Sequence, residues 1–395
     1  MDHKRAAQEH LKLLGPQLIE LSHRIHGAPE LSFQEERAAA WLGQALADAG
    51  FALERGVCGL PTALRARSGR GDLDVALVAE YDALPGVGHA CGHNVIAASA
   101  LGAALLLQPL ADALGLTVTF LGTPAEEGGG GKIVMLERGG FEGVHAALMV
   151  HPYPFELAQT PTIAAQVFEV HYYGKEAHAS AFPELGINAG DALTIAQVAI
   201  GLLRQRLRPT DRIHGIVKKG GEASNIIPAH TVGAYMARAR TLGELEEVMA
   251  QVRRCFEAGA LATGARLDVK AEAPYAELRC DPDLEAAYVA NARTLGREPG
   301  EMTAEVFKRA FSTDMGNVSQ VIPSIHPGLS LDCFPDANHQ PEFAAHAASG
   351  AGDRAVLDGA LLLAWTAIDA ATTPELRARL LARRPATPAP RAPGR

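Results

Sequence analysis

Three short apolar runs in the first half of the chain constrain its fold more than any other sequence feature. They span residues 73–82, 116–127 and 144–152, and each contains a mostly apolar stretch with the length of a β-strand. A helical pattern rich in Ala and Leu separates the first two runs. Because largely apolar strands that alternate with helices are buried on both faces, this order predicts a parallel sheet between layers of helices.

Each of the three runs ends in ionisable residues. The first run leads to Glu80 and Asp82, the second to Glu126 and Glu127, and the third to His151. In sheets of this kind, ligands bind beyond the carboxyl ends of the strands. The sequence therefore predicts that these acids and this imidazole meet at one edge of the sheet.

The sequence pattern changes after about residue 163, where QVFEVHYYG alternates apolar and polar side chains like a strand with one solvated face. The patterns that follow complete the order β-α-β-β-α-β, which is typical of a ferredoxin-like unit. We expect this unit to be inserted into a first domain, and the Pro-rich C-terminal tail to be disordered. The expected boundaries are 1–163 and 279–380 for the first domain, 164–278 for the insertion and 381–395 for the tail.

Composition excludes several classes of protein. The chain has 395 residues, enough for two domains, and a net charge of −9 that argues against a nucleic-acid partner. No segment approaches about 18 uninterrupted apolar residues, and the N-terminus lacks the pattern of a secretion signal. The five widely spaced cysteines fit reduced thiols. We therefore expect a cytoplasmic protein with no membrane span.

The segment GHACGHN, residues 88–94, brings Cys91 together with His89 and His93. Its glycines predict a turn rather than a helix, so the spacing of the two histidines does not place their rings on one helix face. No second cysteine stands at the spacing of a structural zinc site. Taken alone, the segment fits a buried thiol beside histidines in a turn better than it fits a metal site.

The segment PAEEGGGGK places Glu126 and Glu127 before a run of glycines. It is not a phosphate-binding loop, because Glu126 stands where that motif requires glycine and Lys132 is followed by Ile133. Adjacent carboxylates usually belong to a solvated loop. The position of this pair at the end of an apolar run favours a functional role instead.

The combination of residues is more informative than any one of them. Cys91, His93, Glu127 and His151 all follow strands of one predicted sheet. They offer thiolate, imidazole and carboxylate groups, which bind zinc and similar divalent ions. The sequence therefore predicts a metal site at the edge of this sheet.

These segments resemble the amidohydrolase branch of metallopeptidase family twenty, clan MH, and within it the Xaa-Arg or β-alanyl-lysine dipeptidase subgroup. The resemblance implies an α/β fold with a zinc-peptidase-like three-layer catalytic domain and an inserted ferredoxin-like lid and dimerisation domain. It also implies a metal-dependent hydrolase that cleaves the amide bond of a dipeptide or N-acyl amino acid as a homodimer. The matching segments, in family order, are HGAPELSFQEERAA, AEYDALPGVGHACGHN, GTPAEEGGGGK, MVHPYP, GKEAHAS, ASNIIPAH, STDMGNVSQVIPSIHP and NHQPEFAAHAAS.

The resemblance implies a role for each matching site residue. Two divalent ions, zinc or manganese with cobalt and nickel as further options, would be held by Cys91, His93, Glu127, His151 and His339. Glu126 matches the general base and Asp82 the acid that orients the metal ligands. In the insertion, His178 matches the imidazole that stabilises the oxyanion, in family dimers that of the partner, and Asn225 and Arg238 match substrate-binding positions.

Some positions depart from the family pattern. Glu80 stands where other branches have a metal-binding histidine, and His346 competes with His339 for the last ligand position. His89 is expected to contact the ligands rather than the metal.

Three other functions stay open at this point. An aminoacylase or p-aminobenzoyl-glutamate hydrolase activity would use the same site. A metal-binding subunit without catalysis would not need Glu126 or Asp82. A cysteine-dependent enzyme would use Cys91 as nucleophile with His89 or His93 as base.

Overall fold

The computed structural model describes residues 2–383, which divide by their internal contacts into two compact units. The first unit comprises residues 2–161, 278–310 and 314–383, and the second comprises residues 162–277 and 311–313. Of the tail expected to be disordered, residues 384–395 lie outside the described residues. Residues 381 and 382 close the last helix instead, so the expectation is wrong there.

The α-helices and strands are numbered in chain order. The helices are α1 (His3–His26), α2 (Glu36–Asp48), α3 (His93–Leu107), α4 (Ala111–Leu114), α5 (Gly131–Glu137), α6 (Ala189–Leu203), α7 (Leu242–Thr263), α8 (Pro282–Thr294), α9 (Ala304–Phe307), α10 (Met315–Val321), α11 (Pro341–Ala347), α12 (Gly350–Thr372) and α13 (Pro374–Ala382). The strands are β1 (Ala52–Arg55), β2 (Leu64–Ser68), β3 (Leu73–Ala79), β4 (Leu116–Gly122), β5 (Ala146–Leu148), β6 (His151–Tyr153), β7 (Ala164–Tyr173), β8 (Arg212–Lys219), β9 (His230–Ala239), β10 (Arg266–Ala271), β11 (Ser324–Ile325) and β12 (Gly328–Ser330). The protein is thus of mixed α/β class.

The first unit is built on a six-stranded sheet with the order β1-β2-β4-β3-β5-β11. Strands β4, β3, β5 and β11 run parallel to one another, and the sequence predicts this for the first three. Strand β2 runs antiparallel to both β1 and β4, so the sheet that the sequence predicts as parallel is mixed at this edge. Strands β1 and β2 contain polar residues such as Arg65 and Arg67, and most of their residues are at least partly exposed. They form no continuous apolar run, so the sequence pattern did not reveal these two strands.

Strand β3 shows why the central part of the sheet is largely apolar. Val75, Leu77 and Ala79 point into a core built with α1, α3 and α12, whereas Ala76 and Val78 point into a second core with α5 and α10. Successive side chains of a strand face opposite sides, so both faces of β3 are covered by helices. All seven residues of the strand are buried.

Two apolar segments of the first unit, His93–Leu114 and Gly350–Thr372, are long and apolar enough by length and composition to cross a membrane. In both of them, 78% of the most apolar window is buried inside the protein. The helix α3 is buried almost all round, because it packs against α1, α12 and the sheet. These segments therefore have the burial of core helices.

The second unit contains a four-stranded antiparallel sheet with the order β10-β7-β9-β8. Its elements follow one another as β7, α6, β8, β9, α7 and β10. Phe168, Val170 and Tyr172 of β7 pack with α6 and α7 in a core of their own. The alternate residues Glu169 and His171 lie on the opposite face of the sheet, as the sequence pattern predicts.

Candidate active site

The site lies where the parallel strands of the first unit end. Strand β3 stops at Ala79, and the chain continues into Glu80 and Asp82, which are 0% and 1% exposed. Strand β4 stops at Gly122 and leads into the turn that carries Glu126 and Glu127. The strands are shorter than the apolar runs that predicted them, so these acids lie beyond the last residues that pair within the sheet.

The third apolar run is interrupted and does not form one strand. It contains β5 and then the separate strand β6, which pairs in parallel with β12. His151 therefore begins β6, and the expectation that it ends a single strand is wrong. Its ring nitrogen Nδ1 lies 2.8 Å from the carbonyl oxygen of Pro152 and donates to it.

The sharp turn before α3 brings Cys91 and His93 to the same edge. Gly92 has φ = 76° and caps the helix that starts at His93. A Cβ atom at this position would lie 2.8 Å from Pro152. Glycine is therefore required both by the positive φ and by the close approach of Pro152. The Sγ atom of Cys91 then lies 3.5 Å from Nε2 of His151.

The hydrogen bonds of His93 fix which ring nitrogen carries its proton. Nδ1 lies 2.9 Å from the carbonyl oxygen and 3.1 Å from Oδ1 of Asp82, and both of these atoms are acceptors. Nδ1 is therefore the donor, and the lone pair of Nε2 points away from Asp82. This carboxylate–histidine pair is the arrangement that orients imidazoles toward metal ions.

Asp82 also receives hydrogen bonds at its other oxygen. Oδ2 accepts from the Ser32 hydroxyl at 2.9 Å and from the backbone N–H of Glu127 at 3.0 Å. Burial raises the pKa of this carboxyl, but the hydrogen bonds from His93, the Glu127 backbone and Ser32 hold it at about 2. Asp82 thus links the two loops that carry His93 and Glu127.

Three acidic side chains surround the free nitrogen of His93. Its Nε2 lies 3.6 Å from Oε2 of Glu80, 3.9 Å from Oε2 of Glu126 and 3.8 Å from Oε1 of Glu127. Nε2 of His93, Oε2 of Glu80 and Oε1 of Glu127 are all buried without a hydrogen-bond partner among the described residues. Such convergence of buried atoms without partners is costly unless another group satisfies them.

His339 is the one proposed ligand on an exposed loop, with a side chain 58% exposed. Its Nε2 lies 3.6 Å from Oε2 of Glu127, and its backbone N–H donates to the carbonyl of Ala90 at 2.8 Å. The competing His346 instead lies 3.0 Å from Asp336. Of the two histidines, the structure brings His339 to Glu127.

Three overlapping groups of side chains could each hold a metal ion, since their ligand atoms lie within 4.8 Å of one another. The groups are Cys91, His93 and His151; Cys91, Glu127 and His339; and Glu80, His93 and Glu126. Five of these seven residues are the ligands that the resemblance implied.

The charges of the site shift the pKa values of its acids and its thiol. Burial, followed by the neighbouring carboxylates of Glu80 and Glu127, raises the pKa of Glu126 well above its usual value. Burial also raises the pKa of the Cys91 thiol. A nucleophilic cysteine needs a lowered pKa, so this environment does not favour the cysteine-dependent alternative.

Several residues of the site were given no role from the sequence. Lys132 and Asp314 are completely buried and pair with each other beside Glu80. The ring of His326, also completely buried, lies 5.3 Å from that of His151. Asp314 and His326 both lie inside a motif that carried the family resemblance, which was the available signal.

The second unit holds the other three proposed residues. His178 and Asn225 are brought together, since the N–H of Ala179 donates to the carbonyl of Asn225 at 3.0 Å. Nδ1 of His178 accepts from two backbone N–H groups, which leaves Nε2 to carry the proton of the neutral ring. Arg238 lies on β9 and donates to the Ser312 hydroxyl at 3.0 Å.

Comparisons with known proteins agree with the motifs. A model of the peptidase family M20/M25/M40 matches residues 70–348. A mouse Xaa-Arg dipeptidase is 40% identical over 390 residues, covering 94% of this chain and 90% of that protein. One subunit of the p-aminobenzoyl-glutamate hydrolase of Escherichia coli is 32% identical over 272 residues, 64% of this chain and 56% of that protein.

The fold has solved counterparts as well. A dinuclear metal-binding peptidase from Bacillus subtilis superposes with a TM-score of 0.65 at 24% identity, over 89% of this chain and 99% of that one. The family model matches well over half of the chain. The chain therefore belongs to the peptidase family M20/M25/M40 and is a hydrolase of peptide or amide bonds, as its motifs predicted.

Proposed function

We propose that this protein is a metal-dependent dipeptidase of the Xaa-Arg or β-alanyl-lysine type. The observation that carries the proposal is the convergence of buried nitrogen and oxygen atoms of His93, Glu80 and Glu127 that have no hydrogen-bond partner within residues 2–383. The similarity to an Xaa-Arg dipeptidase over 94% of the chain supports this substrate class. Aminoacylase or p-aminobenzoyl-glutamate hydrolase activity is the alternative, favoured by the weaker match to the latter enzyme.

The donor set of the site fits two divalent ions. The residues that we propose as ligands are Cys91, His93, Glu127, His151 and His339. Thiolate, imidazole and carboxylate together suit zinc, and also manganese, cobalt or nickel. The ring nitrogens Nδ1 of His93 and His151 donate to oxygen atoms, so that Nε2 of each is the ligand atom.

The proposed chemistry is attack of a water molecule on the amide carbonyl. Two divalent ions held by the proposed ligands would lower the pKa of the attacking water and polarise the amide carbonyl. Glu126 takes the proton of that water and delivers it to the leaving amine. Asp82 keeps the imidazole of His93 in one tautomer and orientation. The presence of both Glu126 and Asp82 disfavours a metal-binding role without catalysis.

We propose that the second unit is a ferredoxin-like lid and dimerisation domain. In the sheet order, β8 is an edge strand, and its Ile216 and Val217 are 66% and 47% exposed. Val198 and Leu202 of α6 are also more than half exposed, at 60% and 63%. An edge strand beside apolar side chains suits pairing with a second copy of the same chain.

The lid would supply substrate-binding groups. Because Nδ1 of His178 accepts hydrogen bonds, Nε2 carries a proton and can donate a hydrogen bond to the tetrahedral oxyanion. The guanidinium of Arg238 suits a substrate carboxylate, and Asn225 offers an amide next to His178. We propose that His178 serves the active site of the partner subunit.

Subunit complementation tests the dimer and the role of His178 together. We expect His178→Ala and Glu126→Gln each to lose most of kcat without losing fold stability. The two variants are mixed in equal amounts and allowed to exchange subunits. If His178 acts across the dimer, half of the dimers then hold one complete site out of two. The mixture should therefore regain about a quarter of the wild-type activity. Activity that stays at the level of the variants would contradict action in trans, and a normal kcat for His178→Ala would remove it from the chemistry.

We propose that the protein is cytoplasmic and acts on a small molecule. The five cysteines are all free, as suits a cytoplasmic protein. The net charge of −9 gives no support to binding of nucleic acid. We propose a small-molecule substrate as the main ligand, with no nucleic-acid or membrane partner.

A substrate panel combined with metal analysis tests the proposed function. We expect the purified protein to contain two divalent ions per chain, and to hydrolyse dipeptides with C-terminal Arg or Lys faster than N-acetyl amino acids or p-aminobenzoyl-glutamate. Preference for either of the latter would select the corresponding alternative. Metal binding without hydrolysis of any of the three classes would favour the non-catalytic alternative.

A further inference from the structure

A cluster of three buried charges lies behind the proposed metal site. Lys132, on α5, is completely buried, and its Nζ lies 2.7 Å from Oδ1 of Asp314 and contacts Oε1 of Glu80. Glu80 and Asp314 are also 0% exposed. The backbone N–H of Lys132 donates to the other oxygen of Asp314 at 2.8 Å. We call these three residues the lysine cluster.

Fold stability alone gives little reason for such a cluster. Taking charges out of water costs more than their mutual attraction returns unless the geometry is excellent, and apolar replacements of buried ion pairs are often neutral or stabilising. All four carboxylate oxygens would nevertheless be expected to find donors, as buried charges do elsewhere. Three of them do, and in the described part of the chain Oε2 of Glu80 is the exception.

The exceptional oxygen faces the active site. Oε2 of Glu80 lies 3.6 Å from Nε2 of His93, the nitrogen that Asp82 leaves as an acceptor. Two acceptors at this distance repel each other unless a positive charge lies between or beside them. With an oxygen of Glu126, these atoms form a group within 4.8 Å that could hold a cation.

We propose that Glu80 binds the same cation as His93, and that Lys132 and Asp314 are positioning residues that fix its carboxylate for this purpose. Lys132 engages Oε1 and so leaves Oε2 to the cation. Asp314 anchors Lys132 through both its ammonium group and its backbone N–H. The proposal rests on the proposed function, since it presupposes a metal at this site.

The test compares metal affinity among matched variants of the full-length protein, stripped and then titrated with Zn²⁺ or Co²⁺. The double variant Lys132→Met/Asp314→Asn removes one positive and one negative charge, and Glu80→Gln removes the proposed ligand while keeping its shape. We expect both to bind one of the two ions about 10–100-fold more weakly, the usual effect of losing an orienting partner, and the other ion with unchanged affinity. The visible spectrum of bound Co²⁺ should change for that ion alone.

A second ion pair of the same unit provides the control. Arg379 pairs with Asp281 through two hydrogen bonds of 2.8 and 2.7 Å. The double variant Arg379→Met/Asp281→Asn makes the same exchange of charges, and Asn keeps the cap at the start of α8. We expect its metal affinities to equal those of the wild type, with any stability loss visible in the melting temperature.

The outcomes separate this inference from the proposed function. Unchanged affinity for both ions in Glu80→Gln overturns the inference, even if the double variant fails to fold. An equal loss of affinity for both ions overturns it as well, because the effect would then be global. The same holds if the Arg379 control loses as much affinity. Failure of the wild-type protein to bind any divalent ion instead overturns the proposed function.

Discussion

Replacing Glu126 with glutamine is expected to lower kcat by about 10²–10⁴-fold while both divalent ions stay bound, since general acid–base catalysis contributes a factor of that size. Glutamine keeps the shape of the side chain but cannot accept a proton from water. Glu126 is 6% exposed and reaches the site from the turn after β4. Its role is proton transfer in our proposal, so metal content should not change.

The neighbouring residue provides a sharp control for this experiment. Glu127→Gln alters a proposed ligand that lies 3.6 Å from His339, so it should weaken metal binding as well as turnover. The pair of variants therefore separates base from ligand at adjacent positions. Near-normal turnover in Glu126→Gln, or metal loss equal to that of Glu127→Gln, would show that the base has been assigned wrongly.

The pKa of Glu126 connects this prediction to the metal. Without a cation, burial and the carboxylates of Glu80 and Glu127 raise that pKa well above its ordinary value. A carboxyl group held in its acid form cannot take a proton from water. A nearby divalent ion favours the ionised form again. In our proposal the divalent ions therefore favour the form of Glu126 that can act as a base.

The sequence predicted the centre of the fold and not its edge. The apolar runs identified β3 and β4 and their parallel pairing, because both faces of these strands are buried. The ends of the strands were misplaced, since buried residues such as Tyr81 extend the apolar run past the last ladder residue. Burial and strand pairing are separate properties, and hydrophobicity reports only the first.

Local signals were misleading where a distant residue decides the local structure. The segment SFQEER, in which Glu35 follows Ser32 by three residues, is typical of a helix start capped by serine, but α2 begins at Glu36 and its capping position is Glu35. The hydroxyl of Ser32 instead donates to Asp82, fifty positions along the chain. A capping serine would accept a hydrogen bond from a helix N–H, whereas the Ser32 side chain is directed to an active-site carboxylate and donates to it.

The sequence predicted the proposed metal ligands but not the buried residues behind them. Cys91, His93 and Glu127 follow strands of one sheet, so topology alone brings them to one edge. The lysine cluster joins residues 52 and 182 positions apart, and neither a period nor a spacing marks such pairs. Lys132 stands in a glycine-rich segment that lacks the residues of a phosphate-binding loop, so the sequence suggested no role for it. Its role becomes visible only when its burial and its partners are known.

Removal of the divalent ions is expected to abolish hydrolysis, and adding them back should restore it. The stripped site holds the carboxylates of Glu80, Glu126 and Glu127 within 4 Å of one imidazole nitrogen, with no cation to polarise a carbonyl or activate a water. The fold should survive, because hydrogen bonds such as those of Asp82 with Ser32 and the Glu127 backbone do not involve metal.

Metal return should also release protons, and this gives a readout that does not depend on activity. Burial keeps the Cys91 thiol protonated in the stripped protein, since its pKa is raised, and a thiol must lose its proton to bind a cation. Calorimetric titration in two buffers of different ionisation enthalpy measures the protons released, and Cys91→Ser should release fewer. A chelated protein that remains active but is inactivated by alkylation would instead establish Cys91 as a nucleophile and exclude the metal mechanism.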